Sequence, residues 1–172
     1  MTDFAGRIKI GENCYVESSD EPAFHSQSVK LTSVQINDRS PGEILIGDKV
    51  YLPGVAIVAY QRVEIGCNVR FGPMVTIMDS SGHPVRERGA DGEATFIRSA
   101  PVKIEDHAWI GINSTILKGV TIGRNSVIGA NSVVYESVPE NSIALGNPAR
   151  IVKDFSLERG FPSWKKFWRL RK

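Results

Sequence analysis

Residues 102–134 read VKIEDHAWIGINSTILKGVTIGRNSVIGANSVV and carry the most regular pattern in the chain. An aliphatic residue returns at every sixth position, at Ile104, Ile110, Ile116, Ile122, Ile128 and Val134. Four positions after each of the first five stands a small or β-branched residue: Ala108, Ser114, Val120, Ser126 and Ser132. A period of six matches neither an α-helix, at about 3.6 residues per turn, nor an alternating strand. It predicts a solenoid whose faces are short strands joined by sharp turns.

This run resembles the hexapeptide repeat of the left-handed β-helix acyltransferases. In that family three hexapeptides build one triangular coil, the aliphatic residue points into the prism, and the small residue fits the corner. The resemblance implies that Ile104, Ile122 and position 140 lie on one face. We therefore expect an all-β fold: a left-handed parallel β-helix with an extruded loop and a short C-terminal helix.

The same period occurs nearer the N-terminus. Residues 8–16 supply a first hexad, at Ile10, Cys14 and Val16. Residues 17–43 lose the register, although 29–36 (VKLTSVQI) can hold a strand. The period then returns at Ile46, Leu52 and Val58, with Gly47, Val50 and Ala56 in the expected slots. After a one-residue insertion it continues at Ile65, Phe71 and Ile77, with Gly66, Val69, Gly72 and Val75.

The pattern divides the chain into a β-helix domain, residues 1–153, and a tail, residues 154–172. Within the domain, residues 79–101 interrupt the repeat with a polar, Gly-rich and charged segment, DSSGHPVRERGADGEATFIRSAP. Repeat architectures push insertions outward on one face, and such loops often carry function. We expect this loop to hold the chemistry.

A second resemblance lies where the repeat ends. The segment Gly146-Asn147-Pro148-Ala149-Arg150 resembles the G-x-P-[AC]-[RK] signature that closes the β-helix in galactoside, maltose and polysaccharide O-acetyltransferases. With the SSGHPV and AWIG segments, the likeness covers residues 44–153. It implies an acetyl-CoA-dependent O-acetyltransferase that works as a homotrimer, with each active site between adjacent β-helices.

His83 is the first candidate catalytic residue. It stands in the loop between Gly82 and Pro84, which fix the local backbone. A neutral imidazole near pH 7 can take the proton of a sugar hydroxyl while that oxygen attacks a thioester. The match to the family's G-H-P motif implies this role of general base. We interpret His25 and His107 as structural or surface residues.

Asp79 is the second candidate catalytic residue. A base histidine is often oriented by an acceptor on its other ring nitrogen. Asp79, four residues upstream of His83, is the nearest carboxylate, and a backbone carbonyl is the competing partner. We interpret Glu87, Asp91 and Glu93 as solvated loop charges or acceptor contacts.

The resemblance also implies a wall that binds coenzyme A. Trp109 stands in an outward-facing slot, and the matching Trp of the family flanks the pantetheine arm; subunit packing is the alternative. Gly111, Gly129 and Ala130 match positions where small side chains let coenzyme A lie against the wall. They also serve as corner turns.

The closing signature implies the remaining donor contacts. Asn147 and Pro148 match residues that shape the adenine end of the site. Arg150 and Lys153 are basic residues that meet the phosphates of coenzyme A in the family.

Composition limits the alternatives. With 172 residues, 41% hydrophobic and 23% charged, the chain has the make-up of one soluble domain. A net charge of +2 is too small to favour nucleic acid. Neither a signal peptide nor a membrane-spanning run is visible, and Cys14 and Cys67 read as buried thiols rather than a disulfide. We expect a cytoplasmic protein. The three histidines lack the closely spaced pair of the γ-class carbonic anhydrases, so no metal is expected.

The expected acceptor is a sugar or glycan hydroxyl. The galactoside and maltose enzymes carry an N-terminal helical segment that contributes acceptor contacts, and no such pattern precedes Ile44. The acceptor-binding Asn of the galactoside enzyme is also absent near Leu52-Pro53-Gly54. The layout is more similar to the enzymes that acetylate capsule, exopolysaccharide or O-antigen. The alternatives are a xenobiotic or serine-type acetyltransferase, an enzyme that transfers another acyl group, and a non-catalytic hexapeptide scaffold or binding module.

The tail is basic and aromatic. Ser163 can cap a short helix that begins at Trp164, and Trp164, Phe167 and Trp168 then share one face. One interpretation is a capping helix that shields the end of the β-helix or packs on a trimer neighbour. The other is a peripheral contact with the inner membrane surface, with Lys and Arg toward anionic lipid.

Overall fold

The computed structural model describes residues 4, 6–19 and 25–155. The residues predicted to form the helix and the membrane contact of the tail lie outside these ranges. The chain is a left-handed β-helix with three sheets. The first sheet contains β1 (Ile8–Ile10), β4 (Glu43–Ile46), β7 (Arg62–Ile65), β10 (Val102–Ile104) and β13 (Thr121–Ile122). The second contains β2 (Tyr15–Glu17), β5 (Tyr51–Pro53), β8 (Arg70–Phe71), β11 (Trp109–Ile110), β14 (Val127–Ile128), β16 (Ser142–Gly146) and β17 (Ala149–Asp154). The third contains β3 (Lys30–Ser33), β6 (Ala56–Ala59), β9 (Thr76–Met78), β12 (Thr115–Ile116) and β15 (Val133–Val134).

The hexad sets the register between coils. Ile104 pairs with Ile122 in the first sheet, Ile110 with Ile128 in the second, and Ile116 with Val134 in the third, all in parallel. These aliphatic side chains are at most 1% exposed, and so are the small residues of the corner slots. Like therefore stacks on like from coil to coil, and the prism interior is a continuous apolar core.

The corners are made by residues in left-handed backbone conformation. Asn13, Asn68, Asn125 and Asn141 turn the chain after the first sheet, with φ between 55° and 57°. Asparagine tolerates this region better than most residues because its short side chain can bond locally. His107 occupies the same corner, with φ 62°. His107 is therefore a turn residue on the surface, as the sequence predicted.

The structure corrects two details of the predicted register. Ile57, not Val58, points inward: Ile57 is fully buried and pairs with Ile77. The turn after Leu52 is one residue short, and Val55 rather than Ala56 fills the corner slot. In the last coil Ile122 pairs with Val138 instead of position 140, so that coil is two residues shorter than predicted.

Within the predicted interruption of residues 17–43 the structure places strand β3, which pairs with β6. The first coil forms the open end of the prism, where Ile10 and Val16 are 46% and 47% exposed. At the other end β17 runs antiparallel to β16 and closes the second sheet. Cys14 and Cys67 are half-buried and unpaired. In the described ranges, no helix has the length and apolar character needed to cross a membrane.

Candidate active site

The extruded loop leaves the prism after β9 and returns at β10, at the corner between the third and first sheets. Apart from a short 3₁₀ helix, Glu93–Phe96, and a bridge between Ser80 and Ser99, it has no regular structure. The Arg39 guanidinium donates to the carbonyls of Ile97 (3.4 Å) and Thr95 (3.2 Å). The loop is thus fastened at its base and again along the outside of the corner.

Asp79 is a buried residue at the base of the extruded loop, where it binds the backbone of the neighbouring corner. Its side chain is inaccessible, and its two oxygens accept hydrogen bonds from the backbone N–H groups of Tyr60 (2.7 Å), Gln61 (2.7 Å) and Arg62 (2.6 Å). By accepting these three hydrogen bonds, the carboxylate pairs backbone N–H groups of the corner that would otherwise have no acceptor. The structure therefore corrects the expected role of Asp79: it builds the corner between β6 and β7 and makes no hydrogen bond to His83.

Glu93 is the carboxylate that contacts His83. The Nδ1 atom of His83 lies 3.2 Å from Oε1 of Glu93, while Oε2 of Glu93 accepts the backbone N–H of Gly89 at 2.7 Å. The Gly89 hydrogen bond and then the His83 contact hold the pKa of Glu93 below its usual value. The His83 side chain is 77% exposed and that of Glu93 26%. One end of the imidazole is held, and the ring faces solvent.

Sequence reasoning missed Glu93 as the partner of His83. It stands ten positions beyond the histidine, at the start of the 3₁₀ helix, and no local motif connects the two. Gly89 and Gly92, with φ 79° and 75°, fold the loop back on itself. The only signal in the sequence is this pair of glycines, which permits a tight reversal between the histidine and the carboxylate.

An apolar groove of about 330 Å³ lies at a different corner, between the second and third sheets. Trp109, Gly111, Gly129 and Ala130 all line it, so the structure brings together the four residues predicted for the coenzyme A wall. Trp109 is 53% exposed. A Cβ added at Gly111 would lie 2.6 Å from the backbone nitrogen of Ala130. Only glycine lets these turns stack so closely, which keeps the groove wall flat.

The closing hairpin adjoins this groove. A Cβ at Gly129 would lie 2.7 Å from Cβ of Leu145 on β16. Asn147 and Pro148 form the hairpin turn, joined by a cis peptide bond, and Lys153 lies on β17 opposite Ile143.

The Arg150 side chain, on β17 of the hairpin, contacts residues that follow β15. Its guanidinium donates to the Tyr135 hydroxyl (2.8 Å) and lies 3.6 Å from the Glu136 carboxylate. The four hairpin residues predicted for the donor site, Asn147, Pro148, Arg150 and Lys153, thus lie in the hairpin turn and on β17, and β16 separates β17 from the groove.

His83 and the groove do not meet within one chain. The groove is lined by residues of β11 and β14 and of the turns that follow β8, β11 and β14, whereas His83 extends from the corner after β9. Within the described ranges, no group of three His, Cys, Asp or Glu side chains is placed to hold a metal ion.

Comparison with known proteins identifies the same hexapeptide repeat. A family profile described as bacterial transferase hexapeptide (six repeats) matches residues 101–136. The lipopolysaccharide biosynthesis O-acetyl transferase WbbJ of Escherichia coli, described as putative, is 29% identical over 89% of this chain and 81% of its own length. The chain spans 61% and 64% of the length of the galactoside O-acetyltransferases of Lactococcus lactis and Escherichia coli, at 33% and 36% identity.

Solved structures of acetyltransferases are similar as well. A maltose O-acetyltransferase from Clostridium difficile is 31% identical over 86% of this chain and 70% of its own, with a TM-score of 0.56. A galactoside acetyltransferase in complex with coenzyme A is 33% identical over 86% of this chain and 64% of its own, with a TM-score of 0.57.

Proposed function

Because the chain belongs to the family of hexapeptide-repeat acetyltransferases, we propose that it transfers an acetyl group from acetyl-CoA to a hydroxyl of a sugar or glycan. The observation that carries the proposal is the His83–Glu93 pair on the extruded loop. A histidine held at Nδ1 by a carboxylate keeps Nε2 available as a proton acceptor. A scaffold protein would have no use for this arrangement on an exposed loop.

In the proposed reaction Nε2 of His83 accepts the proton of the acceptor hydroxyl. The oxygen forms a bond to the thioester carbonyl carbon, and the carbonyl electrons pass to its oxygen. When the tetrahedral species collapses, the C–S bond breaks, and the thiolate of coenzyme A receives the proton from the imidazolium. Glu93 orients the ring and stabilises the cation that forms in between. Glu93, rather than Asp79, is the orienting residue in this mechanism.

The groove beside Trp109 is the proposed site of the acyl donor. Its apolar lining by Trp109, Gly111, Gly129 and Ala130 suits a thin, uncharged chain such as the pantetheine arm. The hairpin that adjoins the groove then receives the adenine end beside Asn147 and Pro148. Arg150 and Lys153 supply positive charge for the phosphates.

A homotrimer is part of the proposal. His83 and the groove lie at different corners of the prism, so a second copy must bring its loop to the groove of the first. Cyclic packing of identical prisms does this three times with one interface. Each site then uses His83 of one subunit and the wall of its neighbour.

The proposed pathway is the decoration of capsule, exopolysaccharide or O-antigen sugars. The relative named for lipopolysaccharide biosynthesis matches over 81% of its length, against 61% for the galactoside enzyme of Lactococcus. The acceptor-binding Asn of the galactoside enzyme is also missing near Pro53. The cytoplasmic location, and any membrane contact of residues 156–172, remain predictions from the sequence.

The test is release of coenzyme A from acetyl-CoA, followed with a thiol-reactive dye. Wild type, His83→Asn and His107→Asn are assayed with a panel of neutral and acidic sugars, and with serine and chloramphenicol. His107→Asn is the matched control, because four other coils carry Asn in left-handed conformation at that corner. We expect acceptor-dependent release to fall by about 10²–10⁴-fold in His83→Asn only.

Each of the other possible results of this assay contradicts one part of the proposal. Equal loss in both variants would mean that the effect is structural. Release without any acceptor dependence would contradict sugar acetylation, and serine or chloramphenicol as the best acceptor would move the enzyme to another branch of the family. A protein that does not bind coenzyme A would be a scaffold.

A further inference from the structure

A second cavity, of about 800 Å³, lies between the extruded loop and the corner that it covers. Ser81 and Pro84 line it, and these residues flank His83 in sequence. The Ser81 hydroxyl also donates to the His83 carbonyl at 2.9 Å. The cavity therefore begins at the backbone that carries the proposed base, and its size suits a ligand of one or two sugar rings.

The cavity is strongly basic. Four cations line it: Arg39, Arg86, Arg98 and Lys118; Glu87 is the one carboxylate among the lining residues. The cations come from three separate parts of the chain, and the fold brings them together. In the described part of the chain, no ion pair joins any of the four to a carboxylate. Unneutralised positive charge in a concave site attracts and holds anions.

The walls also offer apolar surface. Phe96 and Val85, which line the cavity, are 51% and 84% exposed. An exposed aromatic ring beside cations suits a ligand with a ring face and an acidic group. Arg39 already holds the loop through the carbonyls of Thr95 and Ile97, so Arg86, Arg98 and Lys118 are the cations that remain for a ligand.

We propose that the acceptor is anionic and that this cavity binds its acidic group through Arg86, Arg98 and Lys118, with the sugar hydroxyl directed to His83. That the bound anion is the acceptor rests on the proposed acetyl transfer. Binding of the anion in the cavity can be measured without catalysis. The acidic group is either a carboxylate on the sugar ring or the diphosphate that links a sugar to a carrier. Both are recognised by guanidinium and ammonium groups.

The experiment measures binding and turnover separately on the full chain. Ligand-observed NMR compares D-glucuronate and UDP-glucose with D-glucose, at low salt, for wild type, Arg86→Gln/Arg98→Gln and Lys103→Gln. Lys103, on the first sheet, pairs weakly with Glu105 at 3.7 Å and does not line the cavity. We expect both anions to bind more tightly than D-glucose, and the double variant to lose about tenfold or more of that affinity. The Lys103 variant should bind as wild type does.

Turnover then distinguishes the two ways to fail. If anions bind and the double variant loses them, but no acceptor is acetylated, the cavity inference stands and the proposed function fails. If sugars are acetylated, yet D-glucose binds as well as D-glucuronate and UDP-glucose, the function stands and the inference is wrong. A rise in the KM for acetyl-CoA in the double variant, equal to the loss of anion affinity, would assign the cavity to the donor phosphates and overturn it. Preference between D-glucuronate and UDP-glucose identifies the acidic group.

Discussion

The repeat of residues 102–134 and the loop of residues 79–101 are consecutive in the chain, but they are stabilised in different ways. In the repeat, every sixth side chain is at most 1% exposed and stacks on its equivalent in the next coil. In the loop, Val85 and Phe96 are exposed, and order comes from a few hydrogen bonds to Asp79, Glu93 and Arg39. Regular stacking gives the molecule its stability, and the irregular segment is where reactive and charged side chains can face solvent.

The largest expected difference between the two regions is in stability. Ile116→Ala removes a fully buried side chain from the third sheet, and because its neighbours stack above and below, the cavity cannot collapse. We expect a loss of about 4 kcal/mol in the free energy of unfolding. Val85→Ala in the loop, 84% exposed, should change it by less than about 0.5 kcal/mol. Urea denaturation of both variants is the measurement, and equal losses would contradict the division.

Asp79→Asn tests the boundary between the regions. The asparagine side chain has one acceptor oxygen where three N–H groups now donate to a carboxylate. An N–H left unpaired at a buried corner should cost about 3 kcal/mol. Asp91→Asn, at an exposed position of the loop, is the control and should unfold as wild type does. If Asp79→Asn instead kept full stability and lost only acetyl transfer, its role would be catalytic as first predicted.

Glu93→Gln affects the loop alone. The amide keeps the size of the carboxylate but cannot stabilise a positively charged His83 ring. We expect kcat to fall about tenfold, roughly 1.4 kcal/mol in the barrier, with the melting temperature and the KM for acetyl-CoA unchanged. Asp91→Asn is again the control. A fall in melting temperature that matches the loss of rate would make Glu93 a structural residue only.

The smallest expected effect is a pH dependence confined to the loop. The pKa of Glu93 is lowered in the fold by the Gly89 N–H and the His83 ring. The ionised Glu93 side chain therefore stabilises the folded loop fully at pH values above its unfolded pKa, about 4.3. This stabilisation is lost as pH falls through the lower pKa of the folded state. The protection factor of the Gly89 amide, which is the intrinsic exchange rate at each pH divided by the measured rate, should fall across that range, while the amides of residues 102–134 stay protected. In Glu93→Gln the Gly89 exchange should lose this extra pH dependence.

The two regions also differ in what their sequence predicts. Inward positions such as Ile110, Ile122 and Ile128 were predicted correctly, because each coil repeats the chemistry of the last one. The shift from Val58 to Ile57 was not, because the short turn at Pro53-Gly54 changes the register without breaking the hydrophobic run. Sequence distance favoured Asp79 over Glu93 as the partner of His83. That choice depends on how the loop folds back at Gly89 and Gly92, which no repeat encodes.

The hairpin of β16 and β17 has a consequence for the ends of the molecule. At the open end, β1, β2 and β3 are the last strands of the three sheets in the described part of the chain, and their parallel edges are a template on which a second molecule could continue the prism. At the other end β17 reverses direction on one of the three faces. A copy that stacks coil upon coil must match three parallel edges at once, so it finds no fit there. Head-to-tail growth into filaments needs both ends of every molecule, and we expect this reversal to oppose it.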